Sequence, residues 1–171
     1  AMANKLCDLY HSDVYNASDF ILEGGAIHVD GCGTAMVTKS CLLSKGRNPQ
    51  MTQKQIEEKL CQYLNVSKIL WLPCGIYNDE TNEHIDNICA FVKPGHVVLA
   101  WTDNKDDPQY DMCLQCLNYL QEQTDASGNS IQVHKLPLPE PVYITDKECE
   151  GLDNMDFSPT RTPNERLAAS Y

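Results

Sequence analysis

Ala26-Ile27-His28-Val29-Asp30-Gly31-Cys32-Gly33-Thr34-Ala35-Met36-Val37-Thr38 is the stretch that decides the fold. Two short apolar runs, residues 26–29 and 35–38, flank Asp30-Gly31-Cys32-Gly33, which has the composition of a β-hairpin turn. A helix is expected next. Thr52 and Gln55 have capping-box spacing, and Ile56, Leu60, Tyr63 and Leu64 form an apolar stripe at helical period. The short apolar run 68–72 then reads as a strand closed by Pro73. The same order recurs further on. Strands at 88–92 and 97–101 flank Lys93-Pro94-Gly95, a helix at about 107–123 carries Met112, Cys113, Cys116, Leu117 and Leu120 on one face, and a strand follows at 131–136. Two tandem hairpin–helix–strand units indicate a repeat architecture in which neighbouring units bury each other's faces.

This pattern divides the chain into an N-terminal remnant (1–18), a first ββαβ unit (19–75), a second (76–141), and a linker with the start of a further unit (142–171). Two units leave open sheet edges, a liability that proteins usually cover. The expectation is therefore an α+β fold, a partial α/β propeller with incomplete ends.

Composition narrows the function. The chain has 171 residues and a formal net charge of −11. Such a chain repels phosphate backbones, which argues against nucleic-acid binding, and it attracts small cations. No apolar run approaches the ~20 residues of a membrane span. There are nine cysteines, an odd number, and several lie inside apolar runs. They read as reduced, buried thiols of a cytoplasmic protein. Cys113 and Cys116 have C-x-x-C spacing, but a zinc site there would need a second ligand pair.

Chemistry concentrates in Asn78-Asp79-Glu80-Thr81-Asn82-Glu83-His84-Ile85-Asp86. His84 and Asp86, two apart, would share one side of an extended chain and set a proton carrier beside a fixed negative charge. Glu80 is expected at the pocket rim. A second motif, Glu23-Gly24-Gly25, precedes the first hairpin and allows close approach of backbone or ligand. Glu23 and the His84/Asp86 pair precede equivalent hairpins, so they are expected to converge on one pocket. His28 and Asp30 copy the His84/Asp86 spacing but lead into a turn, so His28 is read as structural. Trp71 and Trp101 end equivalent strands and read as packing residues; His11, His96 and His134 read as surface or edge residues.

At Leu22-Glu23-Gly24-Gly25-Ala26-Ile27-His28-Val29-Asp30-Gly31, and at Gly75-Ile76-Tyr77 running into Asn78–Asn87, the chain resembles the agmatine deiminase family, the Porphyromonas-type peptidylarginine deiminases. Gly46-Arg47-Asn48-Pro49, Val92-Lys93-Pro94-Gly95 and residues 166–171 are smaller matches. The resemblance implies a pentein-like five-bladed propeller of ββαβ units. It implies hydrolysis of agmatine to N-carbamoylputrescine and ammonia, in putrescine formation, with no cofactor and no metal. Glu23 would bind the guanidinium, Asp86 would hydrogen-bond it, and His84 would be general acid and base. Carboxylates suit the rigid donor fork of a guanidinium, and an imidazole titrates near neutrality. A homo-oligomer of a full-length protein stays open.

The family's attacking thiol lies in a Gly-Gly-Asn-x-His-Cys motif near its C-terminus. No cysteine of this chain has that context, and an N-terminal aspartate used by the family has no counterpart here. The expectation is thus a fragment without the catalytic cysteine, inactive by itself. A catalytically inactive guanidinium-binding or assembly module is the alternative, and a metal-binding protein using Cys113 and Cys116 is a third class.

Overall fold

The computed structural model describes residues 2–150, 152 and 161–168. An N-terminal helix, α1 (Met2–Tyr10), buries none of its residues. The first unit comprises β1 (His28–Val29), β2 (Thr34–Thr38), the short α2 (Lys39–Leu42), α3 (Gln53–Leu64) and β3 (Lys68–Leu72). The second comprises the one-turn α4 (Ile85–Ile88), β4 (Cys89–Lys93), β5 (His96–Trp101), α5 (Pro108–Gln121) and β6 (Gln132–Pro137). A short helix, α6 (Asp146–Glu150), follows.

Each unit builds a three-stranded mixed sheet, ordered β1-β2-β3 and β4-β5-β6. The hairpin strands pair antiparallel, and the strand after each helix pairs parallel with the middle strand. A tight turn suffices for the antiparallel pair, whereas the parallel strand needs the long crossover that α3 or α5 supplies. Among the described residues the sheets do not close into a barrel. This is an α+β arrangement of two ββαβ units, a partial pentein-like α/β propeller.

Local signals account for most boundaries. Thr52 caps α3, and its capping box with Gln55 is formed in full. Such a cap contributes about 1 kcal/mol. Asn65 ends the helix in the left-handed region at φ 52°. Asp107 caps α5 by accepting from the Gln109 backbone N–H at 2.8 Å, with Pro108 in the first turn. Proline costs little there because the first helical N–H groups have no partner within the helix.

Two positions depart from the expected strands. Residues 24–26 form a 3₁₀ turn, so β1 begins only at His28. Residues 85–88 form α4 instead of extended chain. Ile85 and Ile88 are three apart and both are buried, and one helical turn sets them on the same face where a strand would split them between two.

The core is continuous across the units. On the first sheet Val37 and Trp71 face α3 and pack with Ile56 and Leu60. Met36, Leu70 and Leu72 point the other way and pack with Leu99, Cys113, Cys116 and Leu120 of the second unit. All five residues of β2 are therefore buried, while β6 is almost wholly exposed. Hydrogen bonds pin the seam: Trp71 N–H donates to the Tyr119 hydroxyl at 2.8 Å, and Ala126 N–H donates to Thr34 Oγ1 at 2.9 Å.

Residues 161–168 return to the second unit. Tyr143 bridges to Arg166, and Arg166 Nη1 donates to Asp107 Oδ1 at 2.6 Å. Residues 151, 153–160 and 169–171, where part of the closing linker and further unit was expected, lie outside the described residues.

Candidate functional site

Glu23 is held from two directions. Asn48, almost fully buried, receives a hydrogen bond from Ile21 N–H and donates one to Ile21 C=O, both at 2.9 Å. That fixes the chain two residues before Glu23. The residue preceding Asn48, Arg47, grips the Glu23 side chain: Nε donates to Oε2 at 2.9 Å and Nη2 to Oε1 at 2.8 Å. This is the bidentate fork that makes guanidinium–carboxylate pairs strong. The same guanidinium donates to Thr81 C=O at 2.9 Å and also to Asn82 Oδ1.

His84 stands at the end of a strained loop. Asn78, Asn82 and Glu83 have φ of 60°, 62° and 68°. Asparagine tolerates this region, but a glutamate there is uncommon, and such conformations cost ~1–3 kcal/mol each unless the surroundings impose them. The surroundings do so here. Glu83 Oε2 accepts from Gly75 N–H at 2.7 Å and from Ser40 Oγ at 2.8 Å, and Thr38 Oγ1 donates to Glu83 C=O at 2.6 Å. A Cβ on Gly75 would fall 2.6 Å from Glu83 Cβ, so only glycine fits. Asp79 Oδ2 accepts from Thr81 Oγ1 at 2.8 Å, from Asn87 Nδ2 at 2.9 Å and from His84 N–H at 3.1 Å. Burial pushes the Asp79 carboxyl up, but these hydrogen bonds outweigh it and hold the carboxyl below its ordinary range.

Glu23 Oε2 lies 3.4 Å from His84 Nε2, although 61 positions separate the two residues. His84 Nε2 is buried and has no hydrogen-bond partner among the described residues. Asp86 completes the group through α4. A Cβ on Gly25 would lie 2.5 Å from His84 Nδ1 and 2.6 Å from Asp86 Oδ2, so both side chains rest against the bare backbone of Gly25. The Arg47 guanidinium holds the Glu23 carboxyl below its ordinary range, against the opposing effect of burial and with help from His84.

Cys41 corrects the sequence reading. That reading expected no cysteine at this site and, on that ground, an inactive fragment or inactive binding module. Cys41 Sγ, a Glu23 oxygen and a His84 ring nitrogen lie within 4.8 Å of one another. Cys41 arrives from α2, the turn that Thr38 caps directly after β2. No linear motif marks it, because its neighbours serve other ends: Ser40 donates to Glu83 and Leu42 packs in the core. Burial pushes its thiol up to about 11, so it is protonated at neutral pH. The three ligand atoms are spaced as a single metal ion would also require, but Arg47 already neutralises Glu23 and competes with any cation for it.

Glu80 goes elsewhere. Its largely exposed side chain pairs with Arg161, on the returning C-terminal segment, and not with the Glu23–His84 pair. Cys74 and Cys116 have their sulfurs 3.7 Å apart, and all nine cysteines are free. Sequence reasoning assigned no chemistry to Arg47, Cys41 or Glu83. For Arg47 a signal existed, since Gly46-Arg47-Asn48-Pro49 stood out as a match without a role.

Comparison with known proteins follows this geometry. The family model described as Porphyromonas-type peptidyl-arginine deiminase matches residues 1–171. The agmatine deiminase of Pseudomonas aeruginosa (strain LESB58) is 49% identical over 170 residues, covering 99% of this chain and 46% of that protein. Among solved structures, the agmatine deiminase of Enterococcus faecalis superposes with a TM-score of 0.81 at 43% identity, covering 98% of this chain and 46% of its own. A Campylobacter jejuni agmatine deiminase with substrate bound superposes with a TM-score of 0.79 at 26% identity, covering 100% of this chain and 44% of its own. The chain thus spans about half the length of the relatives it matches.

Proposed function

Because this chain belongs to the Porphyromonas-type peptidyl-arginine deiminase family, we propose that its Glu23, His84, Asp86 and Cys41 form the centre of a hydrolase acting on the carbon–nitrogen bonds of a guanidine. Agmatine is the substrate, as in the relatives' names, and N-carbamoylputrescine and ammonia are the products. One observation carries this reading: a guanidinium, that of Arg47, already sits in bidentate contact with Glu23 beside His84. A carboxylate that meets one guanidinium fork offers the charge and the acceptors that a guanidine substrate needs, which supports this reading.

The division of labour follows from the chemistry. Glu23 and Asp86 meet the cationic donor fork of the substrate. Cys41 is the thiol that the cluster offers for attack on the guanidinium carbon. Its buried, protonated state means that His84 must take the proton as the sulfur–carbon bond forms. The same imidazole returns the proton to the departing nitrogen, which leaves as ammonia. It then activates a water, whose oxygen joins the carbon as the sulfur–carbon bond breaks. A cytoplasmic location belongs to this reading, since nine free cysteines suit a reducing compartment. No helix among the described residues is long and apolar enough to cross a membrane.

The test is incubation with agmatine and detection of N-carbamoylputrescine by mass spectrometry, with putrescine as the non-guanidine control. Product is expected from the native protein and none from His84→Ala. Cys41→Ser should trap substrate without turnover. Full turnover by Cys41→Ser would move the attack to another group. Equal binding of putrescine and agmatine would remove the guanidine reading itself.

A further inference from the structure

Gly46-Arg47-Asn48-Pro49 is a motif whose chemistry the reaction above leaves unused, yet Arg47 makes more polar contacts with the site than any residue assigned a step. Its side chain is only 12% exposed. It spends its donors on both oxygens of Glu23, on Thr81 C=O and on Asn82 Oδ1. Glu23 precedes the first unit's hairpin, whereas Thr81 and Asn82 belong to the strained loop that presents His84 in the second. Arg47 is therefore a bolt between the two halves of the site. Its neighbour Asn48 fixes the backbone that leads into Glu23.

A guanidinium on Glu23 has two readings with opposite consequences. Either it is a tethered occupant that a substrate must displace, or it is a permanent fixture. Displacement would strip partners from Thr81 C=O and Asn82 Oδ1 and release a loop holding three left-handed non-glycine residues. Retention leaves Glu23 able to bind a ligand, because a carboxylate accepts about four hydrogen bonds and Arg47 uses two of them. Glu23 Oε2, 3.4 Å from His84 Nε2, keeps a lone pair for a second guanidinium.

We propose that Arg47 is a positioning residue: it stays in place when a guanidine ligand binds, keeps Glu23 ionised and turned toward His84, and ties Glu23 to the loop that presents His84. This rests on the guanidine reading above, and the tests below separate the two.

Calorimetric titration with agmatine should show Arg47→Ala binding more weakly by more than about tenfold, the scale of one lost charge-assisted hydrogen bond. Arg47→Lys should not recover it, since an ammonium cannot bridge both carboxylate oxygens. Millimolar guanidinium chloride should partly rescue Arg47→Ala and should only compete in the native protein. Tighter agmatine binding by Arg47→Ala would overturn the proposal, because it would identify Arg47 as an occupant. Should Arg47→Ala fail to fold, the native protein decides. Its Arg47 Nε–H resonance should persist at agmatine saturation, and its loss would overturn the proposal. If the native protein binds no agmatine, the guanidine reading fails by itself. Carbon-13 titration of the Glu23 carboxyl then still judges Arg47: it should titrate higher in Arg47→Lys than in the native protein, and an unchanged titration would count against the bolt.

Discussion

The pattern His-x-Asp falls once in each unit, within the first hairpin as His28-Val29-Asp30 and ahead of the second as His84-Ile85-Asp86. The copies do different work. His28 sits on β1 paired with Met36, and its Nδ1 accepts from Phe91 N–H of the second unit at 3.3 Å. Asp30 closes the first hairpin by accepting from Cys32 N–H at 2.7 Å and from Thr34 N–H at 2.9 Å. His84 instead leaves Nε2 without a hydrogen-bond partner among the described residues, beside Glu23, and Asp86 lies with it against Gly25. Spacing alone does not make a catalytic pair. The first copy commits His28 Nδ1 to the seam and Asp30 Oδ1 to the turn, whereas the second keeps a buried nitrogen without a partner among the described residues. A buried polar atom without a partner is costly unless something meets it, which is why it marks a site.

The largest effect that sharpens this contrast is on turnover. His84→Ala should lower the rate of ammonia release by more than about a hundredfold, the lower end of what a positioned acid and base contributes, while His28→Ala leaves it within about threefold. Equal losses in both variants would erase the distinction.

Next come the glycines beside the second copy. Gly25→Ala places a methyl 2.5 Å from His84 Nδ1, whereas a methyl on Gly24 meets nothing within 4 Å. Agmatine affinity should fall by more than about tenfold in Gly25→Ala, since the clash displaces the hydrogen-bonding groups themselves, and should hold in Gly24→Ala. Calorimetric titration of both variants decides, and a silent Gly25→Ala would break the assignment of His84 and Asp86 to one face.

The two sheets extend the contrast to stability. Leu70 is fully buried between the units, whereas β6 has an open face. Leu70→Ala should cost ~2–5 kcal/mol by urea unfolding. Val133→Ala, half-buried on β6, should cost well under ~1 kcal/mol by comparison. A reversed order would show that the second sheet, and not the seam, holds the molecule together.

The smallest effect is on pH dependence and belongs to the first copy. Burial lowers the pKa of His28, with Asp86 opposing it, so the folded state resists protonating this ring more than the unfolded chain does. Its stability contribution is complete above the ordinary imidazole value of ~6.5 and is lost as pH falls through the lower folded value. The carboxyls of Glu23 and Asp79, also lowered, lose their contributions only below ~4, which separates the windows. The urea midpoint should drop slightly between pH 7 and 5 in the native protein, and that drop should shrink in His28→Gln, leaving the part that belongs to His96, whose pKa burial and Lys93 also lower. An unchanged drop would assign it to another group.

Much of this architecture was legible without coordinates. The capping box at Thr52 and Gln55, the turn at Asp30-Gly31-Cys32-Gly33 and the hairpin–helix–strand order depend on residues a few positions apart. Local hydrogen bonding and side-chain period dictate them, and so the repeat emerges from the chain alone. The short α4 escaped because four residues are too few to display a helical period.

The candidate site divides along the same line. Glu23, His84 and Asp86 could be nominated from sequence because carboxylates and an imidazole announce their chemistry by type and placement. Cys41 could not, and Arg47 stood only in a matched motif without a role. Their roles come from meeting groups in the other unit or beyond a helix, and no local pattern encodes such a meeting. Cys41 Sγ comes within 4.8 Å of Glu23 and His84 because Thr38 caps a turn there, and Glu80 leaves the pocket because Arg161 returns to it. Sequence by itself determined the units and the kinds of group available. Only the packing of one unit on the other decided which groups share a pocket, since side-chain contact depends on close-packed geometry, and neighbours in the chain are seldom neighbours in the core.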